Sequence, residues 1–215
     1  LKEGAEMKIK WLGHSSFMIQ GEKVTVITDP YDEVGLEFPK ASANIVTVSH
    51  SHFDHCAVGK VGGSPQVVKK VGSTEISGVQ ITGFPTYHDT VKGGQRGTNT
   101  VFRIKMDGIT LCHLGDLGHT LSQTQASEIC PVDILFVPIG GVYTIDASGA
   151  KQVVEAMKPR IAIPMHYKVA GLSLGIAPVA NFTKIMGQFT EESVLEVTPQ
   201  TLPKETTVVV LKLSM

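Results

Sequence analysis

Short apolar or alternating runs, separated by turn residues, fill the first half of the chain. Met7–Leu12, Ser16–Gln20 and Val24–Thr28 are such runs, with Gly13 and Gly21-Glu22 between them. They predict a meander of antiparallel strands. Ile45–Ser49 is a β-branched run that leads straight into a group of histidines. Gln66–Val71, Val79–Pro85, Thr100–Met106 and Ile109–His113 continue the strand character, and Asp107-Gly108 is a hairpin signal between the last two. Further on the period lengthens. Ser122–Ile129 predicts a short helix with Ser122 as its N-cap. Asp146–Met157 predicts an amphipathic helix, with Ala147, Ala150, Val153, Val154 and Met157 on one face. Pro178–Met186 predicts a third. Asp133–Pro138 and Ile161–Met165 read as buried strands, and Val194–Val197 and Thr207–Leu213 as closing strands. No linker or internal repeat divides the chain. The pattern predicts one α+β domain over residues 7–215: two packed sheets with helices on the outer faces.

Composition narrows the function classes. Lys+Arg number 19 and Asp+Glu 20, a net charge of -1. That balance argues against a protein built to grip nucleic acid or an anionic membrane, and leaves a small-molecule substrate as the expected partner. Charged residues are 18% of the chain, below the usual share of about 25%. This hints at a homo-oligomer interface, although a buried sheet reads the same way. Cys56, Cys112 and Cys130 form no disulfide framework and no metal knuckle, so a reducing, cytoplasmic compartment is expected. No apolar run approaches the roughly 20 residues of a membrane span. Leu1–Glu6 is polar and does not read as a signal peptide; it is set apart as an extension before the first strand.

The eight histidines supply the chemistry. Ser49-His50-Ser51-His52-Phe53-Asp54-His55 places four residues of metal-ligand type in one short loop after a strand. His50 and His52 are two apart, whereas Asp54 and His55 are adjacent. The economical reading is two neighbouring metal positions, one fed by each pair. Imidazole and carboxylate together suit zinc, with manganese or iron as alternatives.

His50-x-His52-x-Asp54-His55 resembles the signature motif of the metallo-β-lactamase fold superfamily. Gly13-His14-Ser15-Ser16-Phe17, His113-Leu114-Gly115-Asp116 and Pro164-Met165-His166-Tyr167 resemble segments of its L-ascorbate-6-phosphate lactonase-like branch. The resemblance runs from Met7 over nearly the whole chain. It implies a four-layer αβ/βα sandwich. It implies His88 as third ligand of the first metal, Asp116 as bridging carboxylate and His166 as last ligand of the second. His113 is the alternative to His88, and its place within a strand favours a structural role. His14 reads equally as a contact near the site or as a turn histidine. Tyr143 and Thr144 are candidate substrate contacts at a pocket rim, His119 reads either as the start of the following helix or as a substrate contact, and Arg96 is a candidate for an anionic group. Cys56 reads as packing.

The implied reaction is hydrolysis. A dinuclear metal-bound hydroxide would attack a small ester, lactone or phosphoester, with Asp54 and Asp116 as the catalytic carboxylates that orient it or relay its proton. The alternatives are an iron-dependent oxidoreductase of the same fold and a nuclease branch. Diiron oxidoreductases of the fold put a carboxylate where His52 stands, and nucleases usually carry an insertion that this chain has no room for.

Overall fold

The structure is a computed structural model that describes residues 6–214; residues 1–5 of the extension, and Met215, lie outside the described residues. β1 (Met7–Gly13), β2 (Ser16–Gln20) and β3 (Thr25–Thr28) pair antiparallel, as their alternation predicts. The chain leaves the sheet, forms the short β4 (Ala41–Ser42) and returns as β5 (Ile45–Thr47), parallel to β3. A single 3-10 turn at Val58–Lys60 precedes β6 (Val61–Gly62), which pairs with β4, and β7 (Gln66–Val68), which joins β5. β8 (Gly72–Ile76), β9 (Val79–Tyr87), β10 (Thr98–Met106) and β11 (Ile109–His113) form an antiparallel run.

The second half alternates. It runs α1 (Gln123–Ile129), β12 (Ile134–Pro138), α2 (Ala147–Met157), β13 (Ile161–Met165), α3 (Ala180–Met186), β14 (Phe189–Glu192), β15 (Leu195–Val197) and β16 (Thr207–Leu211). Two sheets result, ordered β15-β1-β2-β3-β5-β7 and β14-β16-β13-β12-β11-β10-β9-β8. β8 and β14 were not expected from the pattern. Both lie at an edge and expose nearly every residue, so neither carries an apolar face to read.

Alternation fixes what each face meets. Val26 and Ile45 point between the sheets, where they join Phe17, Ile19, Phe102, Ile104 and Phe136. Their neighbours Ile27 and Val46 point the other way. α2 buries Ala150, Val153, Val154 and Met157 on the expected face. α1 begins with a full capping box: Gln125 N–H donates to the Ser122 hydroxyl, and Ser122 N–H donates to the Gln125 side chain. The fold is an α+β sandwich. Its cover on the six-stranded side is made by loops: Tyr31, Val34, Phe38, Leu172 and Ile176 pack on Leu12, Ile27 and Val46, with no residue of α1, α2 or α3 in that cluster. Gly and Pro in these segments (Pro30, Gly35, Pro39, Gly171, Gly175) interrupt any helical period there. Among the described residues no helix is long and apolar enough to cross a membrane.

Phe136 is fully buried, with its ring 4.3 Å from that of Phe17 across the two sheets. Phe136→Ala is expected to cost about 3–5 kcal/mol, read as a lower denaturation midpoint with an unchanged m-value.

Candidate metal centre

Five of the relevant segments leave the carboxyl ends of strands and meet at one edge of the sandwich. β3 ends before Asp29, and β5 before His50. β9 ends before His88, β11 before Asp116 and β13 before His166. The loop 50–55 brings two sets of ligand atoms together. His50, His52 and His88 form one group, and His14, Asp54, His55 and His166 the other, each with its ligand atoms within 4.8 Å of one another.

Asp116 lies between the two groups. Its Oδ2 is 3.1 Å from His88 Nε2, 3.3 Å from His166 Nε2 and 3.9 Å from His50 Nε2. Its Oδ1 is 3.2 Å from His55 Nε2. Local backbone contacts set this position. Asp116 N–H donates to Asn99 Oδ1, and Asn99 Nδ2 donates to the Leu114 carbonyl. Gly115 has φ +55°, and a Cβ there would run into Asn99 and Ser49, so only glycine fits the turn.

Asp29 was not singled out by sequence reasoning, yet it orients two of the histidines. It is fully buried and lies 2.9 Å from His55 Nδ1, so that nitrogen carries the proton and Nε2 faces Asp116 and Asp54. Ser49 N–H and the Ser49 hydroxyl both donate to the Asp29 carboxylate, at 2.8 and 2.5 Å. The hydroxyl proton is thereby used, so the oxygen accepts from His50 Nδ1, at 2.9 Å. This again leaves Nε2 with a free lone pair. Such carboxylate–imidazole contacts fix the tautomer of a metal-binding histidine. Thr28-Asp29-Pro30 reads as an ordinary turn in sequence. The only signal was a carboxylate at the end of a buried strand.

Hydrogen bonding separates the remaining histidines. His113 Nε2 donates to the Ser15 carbonyl at 2.8 Å, and its Nδ1 accepts from Gly115 N–H. Both nitrogens are occupied, whereas His88 turns Nε2 toward Asp116 and leaves Nδ1 without a partner. His119 is likewise occupied: Nε2 accepts from Tyr87 N–H, and Nδ1 donates to the Thr120 carbonyl. The structure does not bring His119 to the pocket, because the turn it occupies is held against the end of β9. His14 is fully buried with Nε2 3.2 Å from Asp54 Oδ2, beneath the pocket rather than on its wall. Tyr143 and Arg96 do line the pocket; Thr144 and Cys56 do not.

The donor set fits a cation. His50 Nε2, His55 Nε2, His166 Nε2 and Asp116 Oδ1 are buried without a hydrogen-bond partner. Buried polar atoms left unmatched are costly, and several of them converging on one volume is what a bound ion would satisfy. Burial, and then the charge of His55, push His50 down to about 3. Burial, and then His166, push His14 down to about 4. Both rings are therefore neutral near pH 7. Burial opposes the charge of Asp116, but His166 and His55 outweigh it and hold the carboxyl well below its ordinary value. Burial also opposes the charge of His55, but Asp116 and Asp29 raise it well above its ordinary value, so without an ion its Nε2 holds a second proton that a bound cation would displace.

The family model described as "Beta-lactamase superfamily domain" matches residues 8–166. The chain belongs to the metallo-β-lactamase superfamily. A UPF0173 metal-dependent hydrolase from Carboxydothermus hydrogenoformans is 30% identical over 196 residues, covering 75% of this chain and 84% of that protein. The crystal structure of a candidate Zn-dependent hydrolase of the metallo-β-lactamase superfamily from Thermotoga maritima is 39% identical. It covers 95% of this chain and 98% of that one, with a TM-score of 0.81. A metallo hydrolase from Ignicoccus hospitalis is 19% identical with a TM-score of 0.67, covering 98% and 97% of the two chains, which is a likeness of fold alone. These likenesses reach the superfamily and not its lactonase-like branch.

Elemental analysis of purified variants tests the assignment of histidines. His88→Ala is expected to lose bound metal, and His113→Ala to keep it while losing about 1–3 kcal/mol of stability for the backbone groups left unpaired. Asp29→Ala is expected to weaken metal affinity about 10–100-fold in a chelator competition, with the circular dichroism spectrum retained.

Proposed function

We propose that the protein is a metal-dependent hydrolase with a dinuclear centre that cleaves a small ester, lactone or phosphoester. The observation that carries this reading is the place of Asp116, within 3.1–3.9 Å of imidazole nitrogens from both ligand groups. His50, His52 and His88 would hold one ion, and Asp54, His55 and His166 the other, with Asp116 shared. When bound, such ions lower the pKa of a bound water toward about 7 and polarise the electrophilic oxygen.

The chain's own residues then divide the remaining work. Asp54 and Asp116 both reach the pocket floor, where a carboxylate oxygen can orient a water or accept its proton. Phe53 and Leu174 supply apolar walls to a cavity of about 390 Å³, within the range of about 300–1,000 Å³ for small-molecule sites. That size supports a small substrate rather than a nucleic acid. The metals are proposed to be zinc, with manganese or iron as alternatives. Composition supports a cytoplasmic setting and a homo-oligomer.

Metal analysis with a substrate panel of esters, lactones, phosphodiesters and β-lactams tests this reading. We expect two divalent ions per chain and hydrolysis of at least one substrate class. Activity should be abolished by chelation and restored by added zinc or manganese. Oxygen uptake with bound iron, and no hydrolysis across the panel, would sink it.

A further inference from the structure

The pocket has a wall that hydrolytic chemistry does not use. β9 ends at Tyr87, and the loop that follows returns to the sheet at β10. Its base is closed by His88 N–H donating to the Gly97 carbonyl, at 3.1 Å. Its interior is filled by one carboxylate. Asp89 Oδ1 accepts from Val91 and Gly93 N–H at 2.9 and 2.8 Å, and Oδ2 from Gln95 and Arg96 N–H at 2.8 Å each. Four bonds to one buried side chain leave the loop little freedom. The loop presents Arg96 to the same cavity as His52, His88, Asp54 and Asp116.

The Arg96 guanidinium lies over the Tyr143 ring, 5.6 Å from its centroid. Among the described residues it has no carboxylate partner and no hydrogen-bond acceptor; the charged contacts of the chain are made elsewhere. A solvated arginine needs no braced loop and no aromatic platform. Here both are present, and the planar fork is held half-buried with its donors unspent. Such a fork matches the two oxygens of a carboxylate or phosphate, and stacking lowers the entropy lost on pairing.

We infer that Arg96 is the anion-recognising residue of this pocket, and that the substrate carries a carboxylate or phosphate group besides the bond that is cleaved. The inference rests on the hydrolase reading for the cleaved bond, but not for the anion site itself. Arg96 confers selectivity, Tyr143 orients it, and Asp89 acts as a positioning residue through the loop.

Two measurements on the metal-loaded protein test this, comparing wild type with Arg96→Gln and Arg96→Lys. The first is calorimetry of adipate and of hexyl phosphate. Metal contributions are common to all variants, so the difference reports Arg96. Both affinities are expected to fall about tenfold or more in Arg96→Gln and to recover in part in Arg96→Lys. The ligand whose affinity falls further in Arg96→Gln distinguishes phosphate from carboxylate. The second is turnover of three 4-nitrophenyl esters with equal acyl chains: the neutral hexanoate, the adipate monoester and the 6-phosphooxyhexanoate. The kcat/KM preference for the anionic esters over the neutral one is expected to drop about tenfold, through KM. Unchanged calorimetric affinities, or an equal effect on all three esters, overturn the inference. If wild type cleaves none of the esters while the affinity difference persists, the ester reading of the function fails and the anion site stands.

Discussion

A carboxylate withdrawn from water and ringed by imidazoles is the constraint around which this molecule is arranged. Asp116 is 1% exposed, and four histidines from three separate loops turn a nitrogen toward it. A buried charge without partners costs several kcal/mol, so its neighbours must be held in place before it can stay there. The holding is done by the strands. β11 carries Asp116, β9 carries His88, β13 carries His166 and β5 carries the loop with His50 and His55. Their ends coincide because the two sheets share one packed interior, with Phe17, Phe102 and Phe136 among its largest members. A slip of one residue in any of these strands would turn its candidate ligand away. Core packing and metal chemistry are therefore linked through strand register.

Much of this was legible because it is local. The loop 50–55 concentrates its candidate ligands in a few residues, so the sequence shows them directly. Most strands and the helices α1 and α2 announce themselves through apolar period and capping residues, as with Ser122 and Asp146, whereas α3 has no capping side chain. His88, Asp116 and His166 carry no such signal. Each is an isolated residue one to three positions past a strand end, and only the family resemblance marked them. Asp29 stayed hidden because its role depends on contacts with Ser49 and His55, 20 and 26 residues away in sequence. In sequence His113 reads as an alternative ligand and His119 as a candidate substrate contact. What disqualifies them is backbone hydrogen bonding at both ring nitrogens, which exists only once the turns have folded.

The site also stores strain. His14, Asp29 and His166 have φ of 52°, 38° and 53°, in the left-handed region. Non-glycine residues held in sparsely populated conformations cost on the order of 1–3 kcal/mol each and persist where the surroundings over-determine them. Two of these residues brace each other: the His14 carbonyl accepts from Trp11 Nε1 at 3.0 Å and from His166 N–H at 3.1 Å. The turn after β1 thus fixes the backbone of a candidate ligand more than 150 residues later. Strain, unmatched lone pairs and buried charge all work against the metal-free fold. An ion that binds the folded chain alone offsets them, so metal affinity and stability are coupled.

Candidate ligands and pocket walls occupy different depths of the same loops. His88 directly follows β9 and His166 directly follows β13, while Arg96 and Leu174 lie eight residues further along each loop. Tyr143 stands similarly beyond the end of β12. Residues near a strand end inherit the rigidity of the sheet; residues further out are held only by what the loop itself provides. The Asp89 cage is such a provision, and it starts from the residue next to His88. A change in the outer loop can therefore alter what the pocket accepts without moving the ligand set, whereas a change at Asp89 reaches both. This division lets one metal-binding frame serve different substrates, and it places the information about the substrate in the least periodic parts of the sequence.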